Sequence, residues 1–570
     1  MSPRSAPSVA EYDPVAPPQA DAPPRERVFN PDPLPVRQAE LDPLIMGTEV
    51  FPALEECLLA ARDTAFLAFR ILDPETELRS PQARDKGLHD WGDLLVDTAR
   101  RGVSVRLLVS DFDPVLANSL HRMTWSNARS LWHRADRAGL SDQDLAILPA
   151  VHEGEMGGLL RGLLWPLVRR RLIKMLSRSD AQTNAPGLSR HLREDGTVAW
   201  WPPAQLWPAS HHEKFLAVDT RAAFIGGIDI NERRYDDSRH DRHAELTWHD
   251  VCLRLHGPAA ADLDDFFREF WNREAVRYSK QQTSRPEVPT AHALPTPPQL
   301  LPDISPNSDT IAPPSEGQAS LAVLRTFSER RRRPWAISPK PRITEIAQAY
   351  HDAIGSAERV IYIENQYFRL RSVALTIAQR LQDRPDLQVI VLLPMAPDKV
   401  AFEGNDDIDA RMGERLQVRA LETLQRAAPD RVGLFSLVRD APARDGEEDR
   451  AQAYGSGIVY LHAKQIIVDE TRAILGSANI NGRSFYMDTE VAVDWRDPAT
   501  VAAYQRRLWQ AHFGSETVPG GDDPLKHWRR IAQANAEAAP DQRQGHVVPY
   551  QMDRARKLAR YERIVPNRFV

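Results

Sequence analysis

Two stretches of the chain set a histidine, a lysine and an aspartate at the same intervals. HHEKFLAVD carries His212, Lys214 and Asp219, and LHAKQIIVD carries His462, Lys464 and Asp469. In an extended strand alternate side chains share a face, so each histidine projects beside its lysine while Glu213 points the other way. An imidazole beside an ammonium is a poor cation site, because a protonated lysine repels a metal and has no lone pair to offer. It is a good oxyanion site: lysine neutralises a phosphate while a neutral imidazole nitrogen attacks the phosphorus. Asp219 and Asp469 close their strands, where an aspartate serves either as a turn brace or as a direct catalytic contact.

Six residues separate each aspartate from GGID and GSAN. Gly227 and Ser477 are small enough to let backbone approach a ligand and to offer N–H groups to phosphate. Asn479 can donate an amide hydrogen bond to phosphate, whereas Asp229 in the same place of the first stretch cannot. Asp250 and Glu490 open the next strands and are candidates to accept from a histidine N–H and so fix its tautomer. Sequence leaves open which acid serves which histidine.

The two stretches belong to a long internal repeat. His212, Lys214, Asp219, Gly226 and Arg233 each have an identical residue 250 positions later, ending with Gly476 and Arg483. The offset then shortens to 240, pairing DVCLRLHGPA from Asp250 with EVAVDWRDPA from Glu490. Upstream, VRLLVS and VIVLLP lie 284 apart, so the first copy has about thirty-four extra residues before its motif. Chance matches to HxKxxxxD in such a chain number on the order of 0.02, so two with shared flanks are not coincidence.

The segments that must carry these residues alternate in type. AFLAFRILDP and GVSVRLLVSDFDP in the first copy, and RVIYIENQYF and LQVIVLLP in the second, read as strands. WGDLLVDTARR and ITEIAQAYHDAIGSA read as helices, which predicts α/β folding in duplicate. Residues 1–42 are rich in proline and charge and are expected to form a disordered arm. The first lobe is expected over 43–280, a proline-rich linker over 281–318, the second lobe over 319–516 and a basic tail over 517–570.

Composition narrows the function classes. With 570 residues there is ample core for two lobes. A formal charge of -6 disfavours a protein that binds nucleic acid through bulk positive charge, and no nucleic-acid partner is expected. Two cysteines are too few for a disulfide framework, and no Cys/His cluster has zinc-ligand spacing. Neither metal nor cofactor is expected. The first residues lack a basic start followed by an apolar stretch, and no long apolar window is present. The protein is therefore expected in the cytoplasm or peripheral to a membrane, or exported without a cleavable signal. High alanine and arginine content points to a bacterial genome.

The paired HxKxxxxDxxxxxxGG and HxKxxxxDxxxxxxGSxN motifs resemble the two signatures of the phospholipase D superfamily. HHEKFLAVD, AFIGGIDINERRYD, WHDVCLRLHGPA, IYIENQYF and ILGSANINGRSF are similar to its eukaryote-type branch, catalytic core only, and the likeness covers most of residues 46–516. That resemblance implies two similar α/β lobes packed about a pseudo-twofold axis with one shared active site, in a single chain that works as a monomer. It also implies a metal-independent phosphodiesterase in which His212 forms a phosphohistidine, and His462 protonates the leaving alcohol and then activates water. Lys214, Lys464 and Asn479 would hold the phosphoryl oxygens. Asp219 and Asp469 complete the catalytic set.

The substrate implied is a glycerophospholipid, phosphatidylcholine or phosphatidylethanolamine, cleaved to phosphatidic acid and free headgroup, with transphosphatidylation when another alcohol arrives first. MGGLLRGLLWPLVRRRLIKMLSR, about 157–178, is a basic apolar segment suited to a phospholipid membrane surface, with Trp165 as its anchor. The run Arg330–Arg333 is a second basic patch. Glu364, Gln366, Tyr367 and Trp248 are candidate headgroup contacts. The alternatives are a cardiolipin-synthase-like phosphatidyltransferase, a nuclease and a catalytically inactive lipid-binding scaffold.

Overall fold

The protein is described by a computed structural model covering residues 30–176, 193, 197–284, 298–302, 319–331, 335–336, 339–404, 408–514 and 523–559. Most of the expected arm, the linker interior and both ends of the tail lie outside the described residues, as do Arg178, Arg332 and Arg333.

Among the described residues a mixed sheet of sixteen strands runs through both lobes. The first lobe supplies β1 (Arg37–Ile45), β2 (Thr64–Phe69), β3 (Ser104–Asp111), β4 (Leu145–Val151), β5 (Phe215–Val218), β6 (Ala222–Gly226) and β7 (Val251–His256). The second supplies β8 (Ala319–Glu329), β9 (Lys340–Thr344), β10 (Val360–Asn365), β11 (Gln388–Leu392) and β12 (Val432–Leu437). A small separate hairpin, β13 (Gln452–Ala453) and β14 (Ser456–Gly457), precedes β15 (Lys464–Val468), β16 (Arg472–Gly476) and β17 (Glu490–Arg496). β18 (Val547–Pro549) is the last.

The order across the sheet reads the same from either side of its middle. From the centre outward the first lobe runs β1-β7-β6-β5-β2-β3-β4 and the second β8-β17-β16-β15-β10-β11-β12. β1 and β8 pair antiparallel where the lobes meet, with Ala39 opposite Ala319, so a pseudo-twofold axis passes between them. In each lobe three parallel strands, β2-β3-β4 and β10-β11-β12, are joined by helices and are almost wholly buried. Strands covered on both faces need continuous apolar runs, which is why LAFRILDP and VIVLLP read without alternation.

Local chemistry fixes the helix ends. Asp90 caps the helix Trp91–Arg100 by accepting from Asp93 N–H, and Asp497 caps Pro498–Phe513 with proline at its first turn. Gly514 ends that helix at φ 60°, a left-handed position where a side chain would be strained.

The structure corrects three sequence boundaries. Residues 37–42 are not arm but part of β1, the strand that joins the lobes; Pro43 and the charges at Arg37, Glu40 and Asp42 disguise it. The linker's first residues continue the helix Pro258–Ser284, and Leu301 returns to bond Asn272 of that helix. In the expected tail, the helix Pro524–Glu537 packs on the second lobe and β18 extends its sheet beside β12.

Candidate active site

The two motif strands start at the same place on opposite sides of the pseudo-axis. His212 N–H donates to Thr489 O at 2.9 Å, and His462 N–H to His249 O at 2.8 Å. These exchanges bring the residue before Glu490 against the first motif and the residue before Asp250 against the second. Each histidine is consequently served by the other lobe's acid. His212 Nδ1 lies 3.1 Å from Glu490 Oε2, and His462 Nδ1 lies 2.6 Å from Asp250 Oδ2. A carboxylate on Nδ1 holds the proton there and leaves Nε2 as the ring atom for chemistry. Both acids are fully buried, so a correct site exists only when the two lobes are joined.

The lysines are held as the strand pattern expects. Lys214 Nζ donates to His212 O at 2.7 Å and lies 3.7 Å from Asp229; Lys464 Nζ donates to His462 O and to Gln366 Oε1 at 3.3 Å. Asn479 is buried and its Oδ1 has no partner, leaving its amide group uncommitted within the fold. Asp229 differs: its Oδ1 accepts from Ile71 N–H at 2.9 Å, tying it to the end of β2.

Burial governs the protonation of the group. It pushes the Glu490 carboxyl up to about 8 against the pull of Lys214, and raises Asp250 against Lys464. It lowers Lys214, and brings Lys464 down to about 7. Burial, with Lys214 and Arg70 next, holds His212 well below its ordinary value, so the imidazole is neutral as a nucleophile requires. His462 is lowered in the same way by burial, Lys464 and Arg234.

Other expected site residues stand elsewhere. Asp219 accepts from the N–H groups of Arg62, Asp63 and Thr64, and Asp469 from those of Glu358, Arg359 and Val360. Each lies at the far end of its strand, roughly 16 Å along from its lysine by strand rise, so both are braces rather than catalytic contacts. The N–H groups of Gly227 and Ser477 are used by Val251 O and Val491 O, so they are not offered to phosphate. Gly227 is glycine because a Cβ there would meet Asp250 Oδ1 at 2.2 Å; Ser477 uses the matching place to donate its hydroxyl to Glu490.

Of the candidate headgroup contacts, Trp248 is buried against His462, with ring centroids 4.7 Å apart, and carries the Arg234 guanidinium over its ring at 3.7 Å. Its ring is taken up by His462 and Arg234, so it is not presented to a headgroup. Glu364 is buried and accepts from His249, His512, Tyr362 and Gln465, a knot that ties the lobes together. Burial opposes its charge, but His512 and His249 outweigh that and hold its carboxyl below the usual range. His249, Glu364 and His512 also bring three ligand-type atoms within 4.8 Å. With four donors on its two oxygens, the carboxylate is committed to hydrogen bonds. Gln366 does reach the site through Lys464, and Tyr367, half-buried beside it, receives a hydrogen bond from its amide and packs under Arg369.

Sequence reasoning missed the arginines. Arg70, Arg234 and Arg483 all bear on the histidines' charge, and the buried Nε of Arg70 and of Arg234 has no hydrogen-bond partner among the described residues. The repeat pointed to Arg233, which instead pairs with Asp398; its neighbour Arg234 is the one turned to the site.

A family model described as "Cardiolipin synthase, PLD-like domain" matches residues 350–511. Phospholipase D alpha 1 of Oryza sativa subsp. japonica is 26% identical over 417 residues, 54% of this chain and 49% of that protein. Phospholipase D1 of Saccharomyces cerevisiae is 23% identical over 588 residues, 87% of this chain and 30% of that protein. These matches make the chain similar to the phospholipase D superfamily, the family model within its second lobe and the relatives over half or more of its length. Its similarity to plant and yeast members is a likeness to the eukaryote-type branch, and those relatives give no support to the bacterial origin expected from composition. It spans about half the length of the plant phospholipases D it matches. Among solved structures, phosphatidylserine synthase of Haemophilus influenzae aligns with TM-score 0.46 at 14% identity, covering 88% of this chain and 96% of that one. Among the described residues no helix is long and apolar enough to cross a membrane.

Proposed function

We propose that this chain is a phospholipase D that cleaves the distal phosphodiester of phosphatidylcholine or phosphatidylethanolamine, releasing the headgroup and phosphatidic acid. The observation that carries the reading is the crossed pairing of two His–carboxylate couples with two lysines at one point between the lobes.

In the first step His212 Nε2 forms a bond to phosphorus while the phosphorus–oxygen bond to the headgroup alcohol breaks. His462 Nε2 gives its proton to that oxygen. Glu490 holds the Nδ1 proton of His212 as positive charge grows on the ring. Lys214, Lys464 and Asn479 take the phosphoryl oxygens. In the second step a water oxygen bonds to phosphorus as the phosphorus–nitrogen bond breaks, and His462 takes the water's proton. Entry of an anionic phosphodiester between the lysines offsets the cations that depress His462, and Asp250 supports its protonated form. Both half-sites lie in one chain, which therefore works as a monomer and needs no metal for these steps.

The description of the family model favours a second reading, in which an alcohol other than water accepts the phosphatidyl group. One experiment addresses both. Choline and phosphatidic acid are measured from phosphatidylcholine vesicles in EDTA, with and without added glycerol, for the wild type, His212→Ala and His462→Ala. Release abolished by both changes supports the phospholipase. A phosphatidylglycerol product without phosphatidic acid supports the transferase. No product from any common phospholipid overturns both.

A further inference from the structure

Within the stretch that the first copy adds before its motif, the described residues include one long helix and a separate apolar cluster around it. The helix Gly158–Leu176 turns Trp165, Val168 and Leu172 inward against Val115, Met156, Val198 and Leu206. Its opposite face is also apolar. Leu159, Leu163 and Leu167, four residues apart, are 70%, 76% and 63% exposed. A helix apolar on both faces needs a second partner, since one packed face is enough for folding. The expectation that Trp165 anchors the segment is corrected: its ring is inside, with Nε1 donating to Trp200 O.

More exposed apolar surface lies near the helix. Trp200, which lies against Arg169 of the helix, is exposed, as is Trp201 beside it. So is Trp335, whose neighbour Ala336 accepts from Gly157 N–H at the foot of the helix. The helix contains five cations and no acid, and Arg170 and Arg171 are exposed on its last turns. Both stems of this stretch end at the active site: Gly154 packs on Ala209, and Met156 N–H donates to Leu206 O, a few residues before His211 and His212.

We propose that this outer face docks the protein on a membrane surface that carries anionic lipid, bringing the active-site entrance to the headgroup layer. Leucines and tryptophans at the edge of a cationic helix match the apolar boundary and the negative charge of such a surface. A second copy of the chain is a poorer match, because a twofold contact through this face would set Arg170 and Arg171 against their own copies. The inference rests on the phospholipid reading for the substrate it delivers, but docking itself can be read without turnover.

Co-sedimentation with vesicles of phosphatidylcholine, with or without phosphatidylserine, is measured in a His212→Ala background. Leu163→Glu with Leu167→Glu is expected to lower partitioning about tenfold or more on both vesicles. Arg170→Glu with Arg171→Glu is expected to lower it only where phosphatidylserine is present. With His212 restored, neither pair changes turnover of a short-chain soluble phospholipid. Unchanged partitioning of the leucine pair, absence of wild-type binding, or loss of a dimer in that pair would each overturn the proposal. Docking as expected in a protein whose wild type releases no phosphatidic acid supports the docking surface and defeats the phospholipase reading alone.

Discussion

The two halves of the site share a backbone and differ in what flanks the lysine. In the first lobe Ala68 of β2 lies opposite Phe215, and in the second Asn365 of β10 lies opposite Lys464. Continued two residues along β2 and one along β10, Arg70 falls opposite Glu213 and Gln366 opposite Ala463, so the two hold corresponding places, as do Asp229 and Asn479 in the repeat. Lys214 therefore sits between an arginine and an aspartate, Lys464 between two amides. The pairs have equal net charge but unequal freedom. Asp229 is fixed by Ile71 N–H and its charge bears on Lys214, whereas Asn479 keeps its amide uncommitted. Duplication supplied a symmetrical frame, and a few substitutions left one lysine flanked by charged side chains and the other by amides.

The sharpest break of that symmetry concerns the histidines. Choline release should fall by about 10⁴-fold or more in both His212→Ala and His462→Ala. A phosphatidyl ester of p-nitrophenol needs no acid for its leaving group, so it separates them. His462→Ala should give one equivalent of nitrophenol per enzyme and then stall on the phosphohistidine, while His212→Ala gives none. A burst in His212→Ala would reverse the roles.

Next come the crossed acids. Asp250→Asn and Glu490→Gln keep size but lose the carboxyl group that holds Nδ1–H, and each should lower kcat about 10²–10⁴-fold on phosphatidylcholine. The nitrophenyl ester should restore the first step in Asp250→Asn but not in Glu490→Gln, because only the latter acts through the nucleophile. Equal behaviour of the two variants would mean that the couples do not divide the work as His212 and His462 do.

The repeat made the histidines, lysines and both acids legible, because each recurs at a fixed offset and strand alternation places them on one face. The crossing of the acids was not, since it joins residues 278 and 212 positions apart through contacts between lobes. Asp219 and Asp469 recur as faithfully as the histidines, and a repeat preserves a brace as well as a catalyst. The orientation of Trp165 was hidden because a helix apolar on both faces has no preferred side in its periodicity. β18 was missed because three residues at a sheet edge carry no pattern, and its place is set by β12. The overall α/β duplication was legible because buried parallel strands leave long apolar runs.

A smaller effect should report the lysine surroundings directly. Lys464, brought down to about 7 by burial, is cationic below that pH and neutral above it. Sulfate keeps its charge throughout, so competitive inhibition by sulfate should weaken as pH rises through about 7, by up to about tenfold per unit. Lys464→Met should flatten that profile and bind sulfate poorly throughout. A flat profile in the wild type would show that Lys464 retains its proton and that the amide-flanked half is no easier to neutralise than the charged one.

The least effect on activity, and the closest agreement between halves, is expected at the braces. Asp219 and Asp469 each accept three backbone N–H groups at 2.8–2.9 Å and hold φ 53°, a left-handed conformation that aspartate and asparagine tolerate better than alanine. The donating segments are partly exposed, so water recovers some of what a lost carboxylate leaves. Asp219→Ala and Asp469→Ala should each cost about 1–3 kcal/mol of stability by chemical denaturation, and the asparagine variants less. At a temperature where the variants remain folded, kcat should stay within about twofold of wild type. If either alanine variant kept its stability and lost turnover, that aspartate would belong to the chemistry, and the line drawn here between a symmetrical frame and an asymmetrical site would have to move.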